Sequence, residues 1–288
     1  MVNNGIGDRV FSLFNYIFVT LFSLACLFPF LYVVAFSVTP YTEYLEHPLR
    51  MIPSRLEFGA YKQIFQMPLM WSGYKVTVLI TLVGVALNIF LMVISAYPLS
   101  KPDLKGRNII LAFIVFTMFF NGGLIPNFYL IKTLGLYNTI WSLILPGVLG
   151  AYNLILMKNF IGSIPPSLEE SAYIDGANEI KVLFKIIIPL SKPAIATFVI
   201  FHAVGQWNTF FSAIIYTSKR SLWPLMLILR DLVVEDGGLA RDMMDTGSVT
   251  EFTLKMAIIV FATLPIILVY PFLQRFFMKG LLVGSIKG

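Results

Sequence analysis

The sequence predicts an all-α fold: a polytopic membrane protein with six transmembrane helices. Hydrophobic residues make up 58% of the chain and charged residues 12%, against roughly 45–50% and about 25% in soluble domains. Charges are also absent from six long runs, each able to hold a helix of about 20 residues that crosses a hydrocarbon core about 30 Å thick. A charge at the centre of such a helix costs roughly 2.5–3.5 kcal/mol. Six charge-free runs therefore favour membrane spans over six buried helices of a soluble protein.

Each predicted span is built around one charge-free run, and together the spans form a single transmembrane domain over residues 1–288. The first span is too long for the apolar region of a signal peptide, and no small-x-small cleavage site follows it. The single cysteine, Cys26, has no partner for an internal disulfide. The predicted spans lie near residues 11–38, 74–98, 108–131, 139–160, 193–216 and 255–277.

The orientation follows from lysine and arginine in the short loops, which remain on the cytoplasmic side. Three segments on one side of the predicted topology carry these residues, so we expect both termini to be cytoplasmic. The opposite side has the longer segments 39–73 and 217–253, and long loops cross largely regardless of charge. The basic residues of the three segments are Lys101, Lys105 and Arg107; Lys158, Lys181, Lys185 and Lys192; and Lys279 and Lys287.

The third span has an irregular outer end, where Asn121-Gly122-Gly123 is followed by Pro126. Glycine weakens a helix, and proline removes a donor and clashes with the preceding turn. Broken backbone at membrane depth persists only where protein or a water-filled cavity satisfies it. The sequence leaves open a helix break that lines a pathway and a plain loop that begins early.

A polar segment from Ser167 to Pro193 separates the fourth and fifth spans. Pro165-Pro166 stops the fourth helix, and Ser167 and Glu170 have capping-box spacing. This pattern predicts a short helix from Leu168 to about Ile174.

Gly176 then allows the chain to turn, and an amphipathic stretch follows from Asn178 to Ile188. Pro189 and Pro193 redirect the chain into the fifth span. We expect a rigid helix–turn–helix over residues 165–192, called the elbow below. It is either a docking element for a soluble partner or a well-capped connecting loop.

The elbow also carries a family resemblance. The run Glu170-Ser171-Ala172-Tyr173-Ile174-Asp175-Gly176-Ala177, with Ile186 and Ile188-Pro189 after it, resembles the EAA loop of ABC importer permeases. Ser171 stands where that family has alanine and Ile188 where it has leucine, and both departures are small. The resemblance extends over nearly the whole chain and is closest to the carbohydrate-uptake branch. Further matching runs are 96–101, 207–211 and 280–288.

The resemblance implies a type I ABC importer permease fold in a bacterial inner membrane. The elbow would be the coupling helix, seated in a cytoplasmic ATPase subunit. The implied partners are a second permease subunit, two cytoplasmic ABC ATPase subunits, an extracytoplasmic sugar-binding protein and a carbohydrate substrate. The implied ATPase-coupling residues are Glu169, Glu170, Ser171, Ala172, Asp175, Gly176 and Ala177.

The acidic outer segment from Val233 to Val249 is too polar for lipid. By the same resemblance it would meet the binding protein and reach into its open cleft. A solvated loop with no partner explains its composition equally well.

The sequence lacks the patterns of a stand-alone enzyme. No Gly-x-x-x-x-Gly-Lys-[Ser/Thr] occurs, so we expect no nucleotide cofactor in this chain, and ATP and magnesium would belong to the partner ATPase subunits. Two histidines and one cysteine cannot build a usual structural zinc site. No basic stripe with interleaved aromatics indicates nucleic-acid binding.

Polar residues within the spans are the candidates for the substrate pathway. His202 and Gln206 are four residues apart and share a helix face, with Asn208 roughly opposite. Hydrogen bonding between helices explains such residues as well as sugar binding does. The full candidate set is Asn121, Tyr152, Asn153, His202, Gln206, Trp207 and Asn208.

An independent secondary transporter or channel is the alternative function. It would need charged relay residues inside the spans, and the charge-free runs offer none beyond His202. A membrane-embedded enzyme or scaffold is a third possibility, for which no catalytic cluster is present.

Overall fold

The computed structural model describes residues 6–233 and 250–284. It is 77% helical, and the described residues contain no strand, which confirms the all-α class. A five-residue π-helical turn, Leu183–Ile187, joins two of the short helices. The α-helices are α1 (Ile6–Phe36), α2 (Tyr41–Glu46), α3 (Gly59–Gln66), α4 (Pro68–Ser100), α5 (Arg107–Phe119), α6 (Leu124–Thr133), α7 (Trp141–Ile144), α8 (Ala151–Gly162), α9 (Pro166–Ile174), α10 (Glu179–Val182), α11 (Ile188–Leu190), α12 (Lys192–Trp207), α13 (Phe211–Tyr216), α14 (Leu225–Val233) and α15 (Glu251–Gly284).

Three uninterrupted helices are long and apolar enough to cross a membrane. They overlap the first, second and sixth predicted spans and are Val10–Phe36, Pro68–Ser100 and Glu251–Val269. Helix α4 has 33 residues and at 1.5 Å per residue is about 50 Å long. It is therefore longer than the hydrocarbon core is thick, which is about 30 Å.

Sharp bends lie within the third predicted span and just before the fifth. Helices α5 and α6 meet at 117°, and the stretch Glu179–Leu190 meets α12 at 75°. At the first bend, Asn121 Oδ1 accepts a hydrogen bond from the backbone N–H of Gly123 (2.9 Å). The predicted irregularity at Asn121-Gly122-Gly123 is thus a change in helix direction. At the second bend, Pro189 and Pro193 redirect the chain as expected.

The fourth predicted span, near residues 139–160, is interrupted in the structure. The segment holds two helices, α7 and α8, separated at Pro146-Gly147. Gly147 has φ +74°, a backbone conformation that side-chain-bearing residues rarely adopt. The buried Asn88 of α4 donates its amide N–H to the Val148 carbonyl and so satisfies the broken backbone. Among the described helices, three spans are present, or five if each bent pair is one span, and the total of six stays a prediction.

The chain divides into two compact units, residues 1–67 with 231–264 and residues 68–230 with 265–288. In the first unit, the rings of Tyr44 and Phe252 stack with their centroids 4.1 Å apart, and Phe36 meets Tyr44 edge-on. The prediction of a single domain over 1–288 stays a prediction.

The second unit is organised around α4, against which α8 and α12 pack. Gly84 permits this approach, because a Cβ there would lie 3.0 Å from Nε2 of Gln206. A buried apolar cluster joins α4, α8 and α12 to the elbow through Met92, Ala96, Met157, Val182, Ile187 and Phe198. The elbow is therefore part of the core of this unit.

Candidate coupling elbow and polar pocket

The first elbow helix begins at Pro166, two residues earlier than the capping-box pattern predicts. Pro165 is the N-cap residue of α9, no side chain caps the helix, and Pro166 lies in its first turn. Proline suits that position because its φ is preset and its missing N–H would have no partner there. Ser167 is thus inside the helix, where its carbonyl accepts a hydrogen bond from Ser171 Oγ (2.8 Å). The Ser167–Glu170 capping box is wrong.

The predicted turn is present at Gly176, whose φ is +79°. After α9 ends, the N–H of Ala177 donates to the carbonyl of Ala172 (2.9 Å). Asn178 Oδ1 then accepts from the Lys181 N–H (2.9 Å) and caps α10. The predicted helix–turn–helix is therefore present, with the π turn in its second arm.

A polar cluster fastens the elbow to the end of α4. The Glu169 carboxylate is buried and forms an ion pair with Lys101, which lies 68 residues away in the sequence. The Tyr97 hydroxyl lies 2.7 Å from the Glu179 carboxylate and 3.3 Å from that of Glu169. A phenol has one proton to donate, so the shorter contact, to Glu179, receives it. The Lys101 Nζ also lies 4.7 Å from the centre of the Tyr97 ring. The two arms of the elbow are thus joined to Tyr97 near the end of α4 and to Lys101 directly after it.

The cluster shifts the acidity of its members. The hydrogen bond from Tyr97 lowers the pKa of Glu179, with a smaller contribution from the positive charge of Lys101. Burial lowers the pKa of Lys101, and the charge of Glu179 opposes this effect. Burial is also the main reason that the pKa of Tyr173 is raised. The ionised form of the Glu179 carboxylate is thus favoured at the junction between the elbow and α4.

The seven residues predicted for ATPase coupling divide between two faces of the elbow. Glu169 is buried, and Ala172 and Ala177 pack against the apolar core. The other four are exposed: Glu170, Ser171, Asp175 and Gly176. The coupling role of all seven stays a prediction.

Sequence reasoning missed two apolar residues on the exposed face. Ile174 is 87% exposed and Ile180 is 67% exposed. Both lie in a segment too polar to be buried in lipid, and that contrast was the available signal. Exposed apolar side chains on a polar element favour a protein contact.

The structure brings three of the seven predicted pathway residues together. Asn153 of α8 and His202 and Gln206 of α12 line one pocket of about 200 Å³. The pocket borders the break in the fourth predicted span, since Pro146 forms part of its wall. The remaining lining residues are Leu143, Phe201, Gly205, Thr209 and Ser212.

The hydrogen bonding of this pocket is incomplete. Gln206 is buried, and its Oε1 accepts a long hydrogen bond from Thr209 Oγ1 (3.4 Å). His202 Nε2 is shielded from solvent and has no hydrogen-bond partner among the described residues. Such a buried polar atom calls for an explanation.

The other four candidates lie outside this pocket. Trp207 is buried, meets Tyr74 edge-on (5.8 Å), and lines a separate apolar cavity of about 420 Å³ between α4, α12 and α15. Asn208 donates to the Val204 carbonyl (2.8 Å) at the end of α12. Tyr152 is exposed, and Asn121 is engaged in the bend between α5 and α6. Their pathway role stays a prediction.

A helical membrane protein with an anchored polar elbow and a pocket at a broken span has the architecture of a transport permease. Residues 74–283 match the family described as binding-protein-dependent transport system inner membrane component. The chain belongs to this family, and is a transport subunit rather than an enzyme.

The chain is also similar to individual permeases. It is 44% identical to a polygalacturonan/rhamnogalacturonan transport system permease protein of Bacillus subtilis, over 98% of this chain and 99% of that protein. It is 30% identical to an arabinooligosaccharides transport system permease protein of Halalkalibacterium halodurans, over 91% of each.

A solved structure confirms the fold. One chain of a bacterial ABC transporter involved in the import of the acidic polysaccharide alginate superposes with a TM-score of 0.89 at 33% identity, covering 96% of this chain and 100% of that one. The type I ABC importer permease fold expected from the sequence is therefore correct.

Proposed function

We propose that this chain is the permease subunit of an ATP-driven importer for oligosaccharides or polysaccharide fragments. The similar proteins support the substrate class, since their names specify polygalacturonan/rhamnogalacturonan, arabinooligosaccharides and alginate. The polar pocket of Asn153, His202 and Gln206 supplies amide and imidazole groups suited to sugar hydroxyls.

The elbow is the element through which ATPase movement reaches the spans. The observation that carries this proposal is the cluster of Glu169, Lys101 and Tyr97, which joins the elbow to α4. A force applied to the exposed face, at Ile174 and Ile180, is transmitted to α4 rather than dissipated in a loose loop. Alternating access then follows if the ATPase contacts differ between the two states.

The complete importer contains a second permease subunit, two cytoplasmic ABC ATPase subunits and an extracytoplasmic sugar-binding protein. ATP and magnesium bind to the ATPase subunits. The chain lies in the bacterial inner membrane with both termini cytoplasmic, as the basic short loops support. The acidic segment proposed to meet the binding protein, 233–249, lies outside the described residues except for Val233.

Reconstitution into proteoliposomes tests the proposal. The complete complex with its binding protein and internal ATP should accumulate a labelled oligosaccharide. Omission of the ATPase subunits, or replacement of ATP by a non-hydrolysable analogue, should abolish accumulation. Equal uptake without the ATPase subunits would contradict the proposal and favour an independent secondary transporter or channel.

A further inference from the structure

The pocket between α8 and α12 combines three features that packing alone does not require. Asn153, His202 and Gln206 come from two helices and face one cavity of about 200 Å³. The cavity adjoins the helix break at Pro146-Gly147, and irregular backbone at membrane depth occurs where it is buried in protein or lines a water-filled cavity. Discontinuous helices of this kind hold substrate sites in many transporters.

The helix break at Pro146-Gly147 is stabilised by a residue that does not line the pocket. Asn88 of α4, which is buried, donates its amide N–H to the Val148 carbonyl. Asn153, His202 and Gln206 are thus not needed to satisfy the Val148 carbonyl at the break. This separation distinguishes the pocket from an ordinary hydrogen-bonded helix contact.

His202 is the one described residue lining the pocket that can carry a positive charge. Its Nε2 atom has no partner among the described residues. The neighbouring Gln206 carries a long hydrogen bond from Thr209, and Asn153 adds a second amide. The groups facing the pocket therefore comprise one imidazole and two amides, which suit one carboxylate flanked by sugar hydroxyls.

We propose that this pocket is a subsite for an oligouronide, in which the imidazole of His202 donates a hydrogen bond to a uronate carboxylate and Asn153 and Gln206 bind the ring hydroxyls. The inference rests on the proposed importer function and deepens it. It names acidic oligosaccharides as the substrate and places a binding site for them in this subunit. The names of two similar proteins, for polygalacturonan/rhamnogalacturonan and for the acidic polysaccharide alginate, agree with an acidic sugar.

The test compares two ligands of the same length, an oligogalacturonate and its methyl ester, in which a neutral ester replaces each carboxylate. Import is measured in proteoliposomes containing the complete complex and its binding protein. The wild-type complex should have the lower KM for the acid. The His202→Gln variant should raise the KM for the acid about tenfold relative to that for the ester, the change expected for one charge-assisted hydrogen bond, with a smaller change in kcat. The same binding protein serves the wild type and the variant. Its own preference for acid or ester is therefore common to both KM ratios.

His47→Gln is the matched control, because it makes the same substitution at the other histidine, which is exposed and lies in the other compact unit. It should leave both KM values unchanged. His202→Asn is the second variant if His202→Gln fails to assemble, and it should show the same loss of preference for the acid.

Two results would overturn the inference without touching the importer function. One is import by the wild type with no preference for the acid. The other is an equal effect of the His202 variants on both ligands, or no effect on either, which would reduce His202 to a packing residue. Failure of the wild-type complex to import any saccharide would instead refute the proposed function.

Discussion

The hydroxyl of Tyr97, near the end of α4, donates a hydrogen bond to the Glu179 carboxylate at 2.7 Å. These residues are 82 positions apart in the sequence, and their contact joins the second arm of the elbow to a membrane-spanning helix. Together with the pair of Glu169 and Lys101, it makes the elbow a rigid extension of α4.

Tyr97→Phe removes this hydrogen bond and keeps the ring. We expect the variant to lose about 1 kcal/mol of stability and to transport less solute per ATP hydrolysed, because the second arm is no longer held. The ratio of solute to ATP in proteoliposomes measures the second effect. Tyr137→Phe is the control, since the described residues provide no hydrogen-bond partner for its hydroxyl. An unchanged ratio in Tyr97→Phe would contradict the role of the contact.

The lowered pKa of Glu179 predicts a pH dependence. Its ordinary value is 4.5, and the folded protein holds it lower, chiefly through Tyr97. A depressed pKa contributes stability that is present above the unfolded value and is lost as the pH falls through the folded value. The difference in thermal midpoint between wild type and Glu179→Gln should therefore be constant from neutral pH to about pH 5 and shrink below that. A difference that shrinks already between pH 7 and 6 would be inconsistent with this assignment.

The ion pair of Lys101 and Glu169 should contribute more than a surface pair does. Its side chains are 30% and 11% exposed, so removal of one partner leaves a poorly solvated charge. Lys101→Met alone should cost about 2 kcal/mol, and a double-mutant cycle with Glu169→Gln should give a coupling energy of about 1–2 kcal/mol. Denaturant unfolding in detergent measures both values.

Glu251 and Lys255 provide the matched pair for that cycle. They form a more exposed ion pair one helical turn apart, so their coupling energy should stay near 0.3–0.5 kcal/mol. Equal coupling energies for the two pairs would show that burial does not strengthen the ion pair of Lys101 and Glu169.

The exposed face of the elbow should bind the ATPase through apolar contacts. Because Ile174 is 87% exposed, Ile174→Asp should leave the stability of the permease unchanged. It should weaken ATPase association about tenfold, since a charge enters an apolar contact. Titration of purified ATPase onto permease complexes measures the affinity. Ile52→Asp, which alters a residue that is 79% exposed in the other compact unit, should have no effect. Unchanged affinity in Ile174→Asp would place the ATPase elsewhere.

The sequence predicted those parts of the fold that depend on local composition. Charge-free runs identified the continuous helices, and proline and glycine identified the bends at Asn121-Gly122-Gly123 and in the elbow. The division of the fourth span was missed, because the apolar run continues through Pro146-Gly147 and the donor that stabilises the break, Asn88, lies 60 residues away. The capping box failed because Pro166 starts the helix before Ser167 can cap it.

In the candidate sites, too, the sequence predicted local relationships but not contacts between distant residues. The spacing of His202 and Gln206 predicted a shared face, and the structure adds Asn153 from another helix to the same pocket. Spacing could not show that Trp207 turns towards an apolar cavity instead. Nor could it show that Glu169 faces Lys101 while Glu170 faces outward, because that choice depends on how α9 packs against α4.

The most direct test of the elbow as the point of energy input is a bulky residue at Gly176. A Cβ atom there would meet no atom within 4 Å in this chain, so we expect a bulky side chain to project towards a docked partner. Gly135 is the control: it also has open space around it and a similar φ, +71° against +79°, so tryptophan imposes comparable backbone strain at both positions. In reconstituted complexes, Gly176→Trp should abolish ATP-driven uptake and ATPase assembly, whereas Gly135→Trp should retain both. Normal assembly and uptake in Gly176→Trp would contradict the account.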